Sequence, residues 1–503
     1  MKLRAVLPPV IFISAAFLIY LPVLDRYFVS DDFKVLNRVC MERIIFISGF
    51  FRPLSDLTIL MNYKLGGLNP IVFNSFNILI HGINAYLLYQ VCLCLENFGD
   101  KSQKNQFSVF SAVLFLCYPF HNEAVVWLLG RGASMACMFA LLSLIGYYKI
   151  KKESWQVIVV CGFYFISLSA FESTLFFPLI FILILLLKNE NVRQIRKWTI
   201  IMTGTLCLHL IIRYRIAGSI LGSYGQEFFH FKMKAYILNI SKTGGRLLLP
   251  PSGSALIMVS LFAILLGGII FIIRKNRLKI IYSLTGRTII YLTGMLFISC
   301  IIPVIIGIST QTSETDRLLY LPSVFLCMIT GLLLLICIES KGWRLFYLML
   351  IIAYNLFFLE KNNLNWKKAS QITYSIVEKI QSEKSAAKIY FLNIPNEIDG
   401  AYVFRQGFTE ALRLYGKDSS HFVVVNYLPR QDLEKMKEKI KFDNDKAVSV
   451  LPPDIVLNRD SSGCRQVYDH GKLKFISQAD DRIYFWNIDQ LDAIKSCQYQ
   501  HPG

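Results

Sequence analysis

Two adjacent carboxylates, Asp31 and Asp32, follow the first apolar run of the chain in the segment RYFVSDDFKVLNRV. A positioned carboxylate can take the proton of a hydroxyl group, and general-base help of this kind typically contributes about 10² to 10⁴ in rate. Other ionisable residues also border apolar runs: they are Arg52, His121, Glu123, Arg131, Glu172, Glu314 and Arg317. Guanidinium groups bind phosphate through two parallel hydrogen bonds. The residue types therefore predict a reaction in which a base activates a hydroxyl group while cations hold a phosphate.

The composition places these residues in a membrane protein. Of 503 residues, 54% are hydrophobic and only 17% are charged, which is far from the balance of a soluble globular domain. The first apolar run, 5–24, carries no charge and is about long enough to cross ~30 Å of hydrocarbon as a helix. Because no small-residue cleavage motif follows it, we interpret it as a retained first helix and not as a removed signal peptide.

Ten further runs without Lys, Arg, Asp or Glu bring the predicted spans to about eleven. They cover 71–95, 107–120, 132–148, 155–171, 174–187, 198–212, 255–273, 288–308, 318–338 and 345–359. If every run spans, the basic residues of the short loops, such as Lys2, Arg4 and those of 274–279, fall on one side. The positive-inside rule makes that side cytoplasmic. We therefore predict a multi-pass protein, most simply of a bacterial inner membrane, with a cytoplasmic N-terminus.

The net charge of +19 is largely explained by this topology signal and by attraction to anionic lipid. The chain contains no RNA-binding motif that combines basic and aromatic residues, so nucleic acid is not an expected partner. The expected partner is the lipid bilayer.

The opposite, extracytoplasmic face receives the polar residues described above, because it carries the loops 25–70, 121–131, 172–173, 213–254 and 309–317. Ionisable groups at span ends are costly unless they meet water or a partner. For each residue alone, a location at a helix end in the interfacial region explains the charge as well as a functional site does. His121 and Glu123, two positions apart beside a proline, favour a site when they are taken together with the acidic pair and the arginines.

The composition changes after about residue 360. The segment 361–384 has the pattern of an amphipathic connecting helix, and 385–503 contains strand-like stretches such as KIYFLNIP and HFVVVNYL. The stretch GAYVFRQGFTEALRLYG has helical periodicity closed by glycine. We predict an all-α transmembrane domain over 1–360 and a small extracytoplasmic α/β domain at the C-terminus. The latter has no nucleophile elbow, P-loop or metal-spacing motif.

One reaction fits carboxylates and arginines at an extracytoplasmic membrane face: sugar transfer from a lipid-linked phosphate donor. A carboxylate would take the proton of the acceptor hydroxyl while the lipid phosphate departs. Arginines would hold that anionic leaving group, and an oxocarbenium-like transition state would favour a nearby carboxylate.

The sequence resembles the GT-C superfamily of polytopic glycosyltransferases, and most closely the membrane region of the transmembrane, tetratricopeptide-bearing O-mannosyltransferases and their bacterial relatives. Four segments carry the likeness: SDDF, FRPLSDLTILMNYKLGGLNPIVFNSFNILIHGINAYLL, YPFHNEAVVWLLGRGASMACMFALL and ETDRLLYLPSVFLCMITG. With the stretch NNLNWKKAS they extend over about residues 5–375.

The resemblance implies a polyprenyl- or dolichyl-phosphate sugar as donor, with mannose as the sugar. It also implies that Asp31 or Asp32 is the catalytic base, and Asp31 is preferred because related mannosyltransferases place the base first in an acidic pair. The residues in matching segments would bind substrate or organise the site: they are Arg52, His121, Glu123, Arg131, Glu172, Glu314, Arg317 and Tyr320.

The chain departs from that family in two places. The tetratricopeptide array is replaced by the C-terminal module, which puts the acceptor in doubt, and Phe171 precedes Glu172 where relatives tend to have a lysine. Some superfamily members use a divalent ion, and the acidic pair with His121 and Glu123 could hold one. We expect no metal and no other cofactor, because a phosphate held by arginines has less need of one.

Other functions stay open at this point. A transporter or lipid flippase would also place charges near membrane cavities, but it would more often show inverted repeats, and no repeat relates the two halves of this chain. A non-enzymatic scaffold would leave the acidic pair dispensable. Among transferases, the acceptor could be a protein hydroxyl, a lipid or a surface glycan.

Overall fold

The apolar runs form helices in the computed structural model of the chain. In chain order the helices are α1 (Lys2–Ile19), α2 (Asp31–Val35), α3 (Pro53–Gly66), α4 (Pro70–Cys94), α5 (Lys101–Leu116), α6 (Asn122–Val125), α7 (Arg131–Lys149), α8 (Glu153–Ala170), α9 (Phe177–Leu187), α10 (Val192–Ala217), α11 (Met233–Leu248), α12 (Leu284–Ser299), α13 (Ile301–Ile306), α14 (Tyr320–Cys337), α15 (Lys341–Ser382) and α16 (Phe408–Leu414). Single 3₁₀ or π turns cover Leu21–Val23, Leu36–Met41, Glu172–Thr174, Asp316–Leu319 and Ser419–His421.

The structure describes most of the chain. The described residues are 2–95, 100–220, 233–252, 256, 260, 263, 267, 284–382, 388–392, 394–424, 427–428 and the strands between 441 and 493 that are given below. They divide into two compact units. The first, which we call the membrane unit, comprises Met1–Asp25 and Ile44–Leu364, and the second unit comprises Arg26–Arg43 and Asn365–Gly503.

Six helices among the described residues are long and apolar enough to cross a bilayer. They are Pro70–Cys94, Glu153–Ala170, Val192–Ala217, Gly286–Ile306, Asp316–Cys337 and Lys341–Ser382. The apolar parts of α1 and α9 are shorter. Ten of the eleven predicted runs coincide with helices, whereas the run 255–273 lies outside the described residues except for four helical positions. The chain is therefore an integral membrane protein, and the number of eleven spans stays a prediction.

Capping residues set the ends of several of these helices. The side chain of Asn69 accepts a hydrogen bond from Ile71 N at the start of α4, and Asn191 accepts one from Gln194 N at the start of α10. These oxygens satisfy amide groups that have no partner inside the helix. Helix α10 ends at Ala217 and is followed by Gly218, whose φ of +70° suits glycine.

Small residues let helices of the membrane unit approach closely. A Cβ added at Gly82 of α4 would lie 2.7 Å from the Cα atom of Ile13 in α1, and one added at Gly331 of α14 would lie 3.0 Å from Ser111 Oγ in α5. Since lipid removes the hydrophobic drive for helix association, such close packing is a main source of stability inside a membrane.

The structure differs from the sequence prediction in three places. The predicted loop 25–70 contains the helices α2 and α3, and the predicted connecting helix 361–384 is the continuation of α15, which runs unbroken to Ser382. In the stretch 400–416, residues Ala401–Tyr402 form a strand, and the helix begins only at Phe408, after Gly407 with a φ of +88°. A left-handed glycine interrupts a helix that periodicity alone would have continued.

The second unit contains small sheets. Its strands are β1 (Ile389–Leu392), β2 (Ile394–Pro395), β3 (Glu397–Ile398), β4 (Ala401–Tyr402), β5 (Phe422–Val424), β6 (Tyr427–Leu428), β7 (Lys441–Asp443), β8 (Ala447–Val450), β9 (Ile455–Arg459), β10 (Arg465–Asp469), β11 (Lys472–Ser477), β12 (Arg482–Asn487) and β13 (Gln490–Ala493). One sheet has the order β13-β12-β1-β5, with β1 parallel to both neighbours. Another is the antiparallel meander β11-β10-β9-β8-β7, while β2 pairs with β6 and β3 with β4.

Gly130, the residue before α7, gives a test of the packing between α6 and α7. A Cβ added there would lie 1.8 Å from the carbonyl oxygen of Glu123, so Gly130→Ala forces α6 and α7 apart. Overpacking of this kind typically costs about 1–3 kcal/mol. We expect a lower melting temperature in detergent for this variant.

The matched control is Gly162→Ala in α8, where an added Cβ meets no atom within 4 Å. That change is expected to be neutral or to stabilise the helix by up to about 1 kcal/mol. Equal melting temperatures for the two variants would contradict the described packing at Gly130.

Candidate functional site

Glu172 joins two arginines where three elements of the membrane unit meet. Its Oε2 accepts a hydrogen bond from Arg52 Nε (3.1 Å) and forms an ion pair with Arg52 Nη2 (2.9 Å), and its Oε1 accepts a hydrogen bond from Arg213 Nη2 (2.7 Å). Arg52 immediately precedes α3, Arg213 lies in the last turns of α10, and Glu172 follows the end of α8. We call Arg52, Glu172 and Arg213 the arginine cluster.

The members of the arginine cluster differ in exposure. The side chain of Arg213 is 3% exposed and that of Glu172 is 12% exposed, whereas that of Arg52 is 21% exposed and also stacks on Phe171, 4.5 Å from the ring centroid. Burial acts to raise the pKa of Glu172, but Arg52 and Arg213 outweigh it and lower the pKa to about 2. The cluster is therefore a fixed ionic group that presents one arginine to its surroundings.

A second pair of ionic contacts fixes the loop before α14. Glu123 pairs with the Arg317 guanidinium, and its Oε2 also accepts a hydrogen bond from Arg317 N at 2.8 Å. The preceding residue, Asp316, accepts two hydrogen bonds from Arg246 Nη2, at 2.7 Å and 2.6 Å. Glu123, Asp316 and Arg246 are fully or almost fully buried, so each charge depends on its partner for the solvation it has lost.

The predicted residues His121 and Tyr320 lie in a buried polar network. His121 Nε2 is 2.7 Å from Ser323 Oγ, and since that hydroxyl donates to Tyr320 O, the imidazole is the donor. Burial, and then the neighbouring His81, lower the pKa of His121 well below its usual value. Tyr320 OH bonds His81 Nδ1 at 2.8 Å and Asn84 Nδ2 at 3.1 Å. Both predicted residues thus contact other helices of the bundle.

Arg131 and Glu314 occupy different surroundings. Arg131 is fully buried, and its guanidinium donates to Asn62 Oδ1 (2.7 Å) and Phe73 O (3.2 Å), which ties α7 to α3 and α4. Glu314 is partly exposed in the loop between α13 and α14, where its backbone N–H donates to Thr312 Oγ1 at 3.3 Å. The structure does not place either residue in the arginine cluster.

The acidic pair belongs to the second unit. Asp32 is fully buried; its Oδ2 accepts a hydrogen bond from Val29 N at 3.0 Å and lies 3.6 Å from Arg26 Nη2. The Arg26 guanidinium also lies over the ring of Trp366, 5.7 Å from its centroid. Asp31, the first residue of α2, is only partly buried. Of the two carboxylates, Asp32 is the more deeply buried.

The backbone before the acidic pair is strained. Ser30 has a φ of +46° and a ψ of −120°, a combination that costs a non-glycine residue of order 1–3 kcal/mol. The conformation is held by hydrogen bonds from Ser30 N to Val403 O (2.7 Å) and from Gln406 N to Ser30 Oγ (3.2 Å). A π-helical segment, Leu36–Met41, follows the pair. Strain and π-helical turns both cluster at functional sites.

An apolar groove of about 780 Å³ lies within the membrane unit. Its walls include Phe120, Leu247 of α11, Leu326 of α14 and Leu350 of α15. Phe120 also carries the Arg246 guanidinium on its face, 4.5 Å from the ring centroid. The groove is therefore adjacent to the buried pair formed by Arg246 and Asp316, and it suits an alkyl chain better than a polar ligand.

Sequence reasoning missed Arg213, Arg246 and His209. Arg213 directly follows the predicted apolar run 198–212, so the rule that ionisable groups at span ends mark candidate sites applied to it. His209 lies one turn earlier on α10 and packs edge-on against Phe51, with ring centroids 5.4 Å apart. Nothing in the local sequence singled out Arg246, whose partner lies 70 positions away.

A metal site does not emerge from the described part of the chain, where no three His, Cys, Asp or Glu side chains are grouped as ligands. His121 and Glu123, which sequence spacing could have made a cation site, instead contact Ser323 and Arg317.

Comparisons with curated proteins find similarity to protein O-mannosyl-transferases. The chain is 35% identical to TMTC4 of Mus musculus over 112 residues, which is 21% of this chain and 15% of that protein. It is 36% identical to TMTC1 of Homo sapiens over 99 residues, 19% of this chain and 10% of that protein. It is 32% identical to tmtc2 of Xenopus laevis over 120 residues, which is 23% of this chain and 14% of that protein. The resemblance inferred from the sequence segments is confirmed, and it spans less than a sixth of these relatives' lengths.

Among solved structures, ArnT from Cupriavidus metallidurans, bound to undecaprenyl phosphate, aligns with a TM-score of 0.45 and 11% identity over 85% of this chain and 90% of that chain. No protein-family model matches the chain.

The arginine cluster predicts a specific pH dependence. Replacing Glu172 by Gln removes the anion shared by Arg52 and Arg213, so the variant should melt at a lower temperature at neutral pH. Because the folded-state pKa of about 2 lies below the ordinary 4.5, the stabilisation is present above 4.5 and is lost as the pH falls through about 2. The difference in melting temperature should therefore be constant near neutral pH and should shrink below about pH 4.5.

The matched control is Glu153→Gln, which removes the exposed ion pair of Glu153 with Lys197. Exposed pairs typically contribute only about 0–1 kcal/mol, so this variant should melt close to the wild type. An equal, pH-independent loss in both variants would rule out the ionic role assigned to Glu172.

Proposed function

We propose that this protein is a glycosyltransferase of the GT-C type that moves a sugar from a polyprenyl- or dolichyl-phosphate donor to an acceptor hydroxyl. The sugar is mannose and the acceptor is a protein hydroxyl, in line with the O-mannosyl-transferases that the chain resembles. The reaction takes place at the extracytoplasmic face of a bacterial inner membrane, with the N-terminus in the cytoplasm.

The observation that carries this proposal is the arginine cluster at the ends of membrane-spanning helices. A lipid-linked phosphate lies at the depth of the headgroups, where spans end, and a guanidinium group binds it with two parallel hydrogen bonds. In this proposal Arg52, the more exposed arginine, contacts the donor phosphate. Glu172 and Arg213 are positioning residues that hold its guanidinium in one orientation.

Asp31 is the general base in this proposal. During transfer the bond between the anomeric carbon and the phosphate oxygen breaks, and a bond from the acceptor oxygen to that carbon forms. The acceptor proton passes to Asp31, and the phosphate leaves with the bonding electrons. The partial exposure of Asp31 supports this assignment over Asp32, whose carboxylate is buried beside Arg26. Asp32 and Arg26 then position α2, and the strained Ser30 sets the direction of its first residue.

The apolar groove provides a place for the hydrocarbon tail of the lipid donor. It is lined by aliphatic and aromatic side chains and lies among helices that cross the bilayer. Glu123 and Arg317 fix the loop between α13 and α14 at the same end of the unit. In this proposal the fixed loop is a rigid border of the donor site.

The test is transfer of radiolabelled mannose from a polyprenyl-phosphate donor in membranes that contain the protein. Asp31→Asn should lower the transfer rate by about 10² to 10⁴, while the amount of inserted protein stays the same. Asp25→Asn, which removes an exposed carboxylate six positions earlier, is the matched control and should transfer at the wild-type rate. Full activity of Asp31→Asn would exclude Asp31 as the base, and lack of transfer by the wild type would oppose the proposed donor.

We also propose that transfer needs no metal ion, because arginines supply the charge that stabilises the departing phosphate. Transfer should therefore continue at an unchanged rate in the presence of excess EDTA. A loss of activity that Mg²⁺ or Mn²⁺ restores would assign a divalent cation to the reaction.

A further inference from the structure

Helix α11 exposes apolar side chains and buries polar ones, which water alone would not stabilise. Its apolar side chains Met233, Ile237 and Ile240 recur with helical spacing and are 57%, 60% and 53% exposed. Its polar residues Asn239, Thr243 and Arg246 recur with the same spacing and face the protein, and the last two are buried. The helix thus turns an apolar stripe outward and polar groups inward, the reverse of a surface helix in water.

Two polar contacts fix α11 to the ends of membrane spans. Asn239 Nδ2 donates to Val304 O at 2.9 Å, and Val304 lies two residues before the end of the span Gly286–Ile306. Arg246 binds Asp316, the first residue of the next span. The end of one span and the start of the next lie on the same face of the bilayer. Both contacts therefore hold α11 at that membrane boundary.

Beside its apolar stripe α11 carries a positive charge, which suits a helix at the membrane boundary. On a helical projection Lys234 falls beside the apolar stripe and away from Arg246, and its side chain is exposed. A lysine at this position can place its ammonium group among phosphate headgroups while its aliphatic stem stays in apolar surroundings. Three sides of one helix thus meet protein, hydrocarbon and headgroups.

We propose that α11 is an interfacial helix whose apolar stripe, Met233, Ile237 and Ile240, is inserted among the lipid acyl chains of the leaflet at this face. Lys234 contacts the headgroups, and Arg246 connects the inserted helix to Asp316. Lipid insertion of α11 then braces the loop that carries Arg317. This inference concerns the bilayer as a binding partner and holds whatever sugar or acceptor the protein uses.

Tryptophan fluorescence in vesicles tests the insertion. The full-length variant Ile237→Trp is reconstituted in phosphatidylcholine vesicles, and its emission is compared with that in phosphatidylcholine brominated on the acyl chains. The wild type, with its six tryptophans, gives the background to subtract. The fluorescence added by Ile237→Trp should lose most of its intensity in brominated lipid, and that of Ile240→Trp should do the same.

The matched control is Lys234→Trp, three positions away on the headgroup side of the same helix. Its added fluorescence should be quenched less by the acyl-chain bromines and more by aqueous acrylamide. If the tryptophans at 237 and 240 are quenched by acrylamide and not by bromine, the apolar stripe is in water and the proposal is wrong. Equal bromine quenching at all three positions would also overturn it, because the helix would then lie wholly within hydrocarbon.

Discussion

Charge at the end of an apolar helix bundle has to be neutralised by charge from another part of the chain. A guanidinium group that loses its water and gains no anion or acceptor would destabilise the fold by several kcal/mol. In the membrane unit the carboxylates Glu172, Glu123 and Asp316 meet this need, with partners 41 to 194 positions away in sequence. These ion pairs specify which loops come together at that end of the bundle, and the rest of the candidate site follows from them.

The same pairs explain how a mostly hydrophobic chain can keep a rigid polar surface. Glu172 fixes Arg213 and Arg52 together, yet Arg52 remains partly exposed. Adjacent residues of opposite charge, Asp316 and Arg317, bind different partners, so the short 3₁₀ turn that contains them is attached on two sides. In the proposed reaction, a phosphate that approaches this surface would meet preorganised donors, and such donors need little reorganisation when charge develops on the leaving group.

The sequence predicted the helices well because an apolar run without charge has few alternatives to a helix in lipid. It also identified Glu172, Glu123 and Arg317 as ionisable groups at span ends. It could not assign their partners, since contacts such as that between Arg246 and Asp316 depend on how distant helices pack. The grouping of residues 26–43 with the C-terminal segment was equally invisible, because it arises from backbone contacts such as that of Ser30 with Val403. The break at Gly407 was missed because periodicity does not report a left-handed backbone.

The most direct test of the account is equilibrium binding of undecaprenyl phosphate to the purified protein, to Arg52→Gln and to Lys64→Gln. Lys64 is an exposed residue of α3 outside the arginine cluster, so its loss changes the net charge equally. A hydrogen bond to a charged group contributes about 1.5–3 kcal/mol, so Arg52→Gln should weaken binding by about tenfold to a hundredfold while Lys64→Gln binds like the wild type. Equal affinity of all three proteins would contradict the assignment of the arginine cluster to the lipid phosphate.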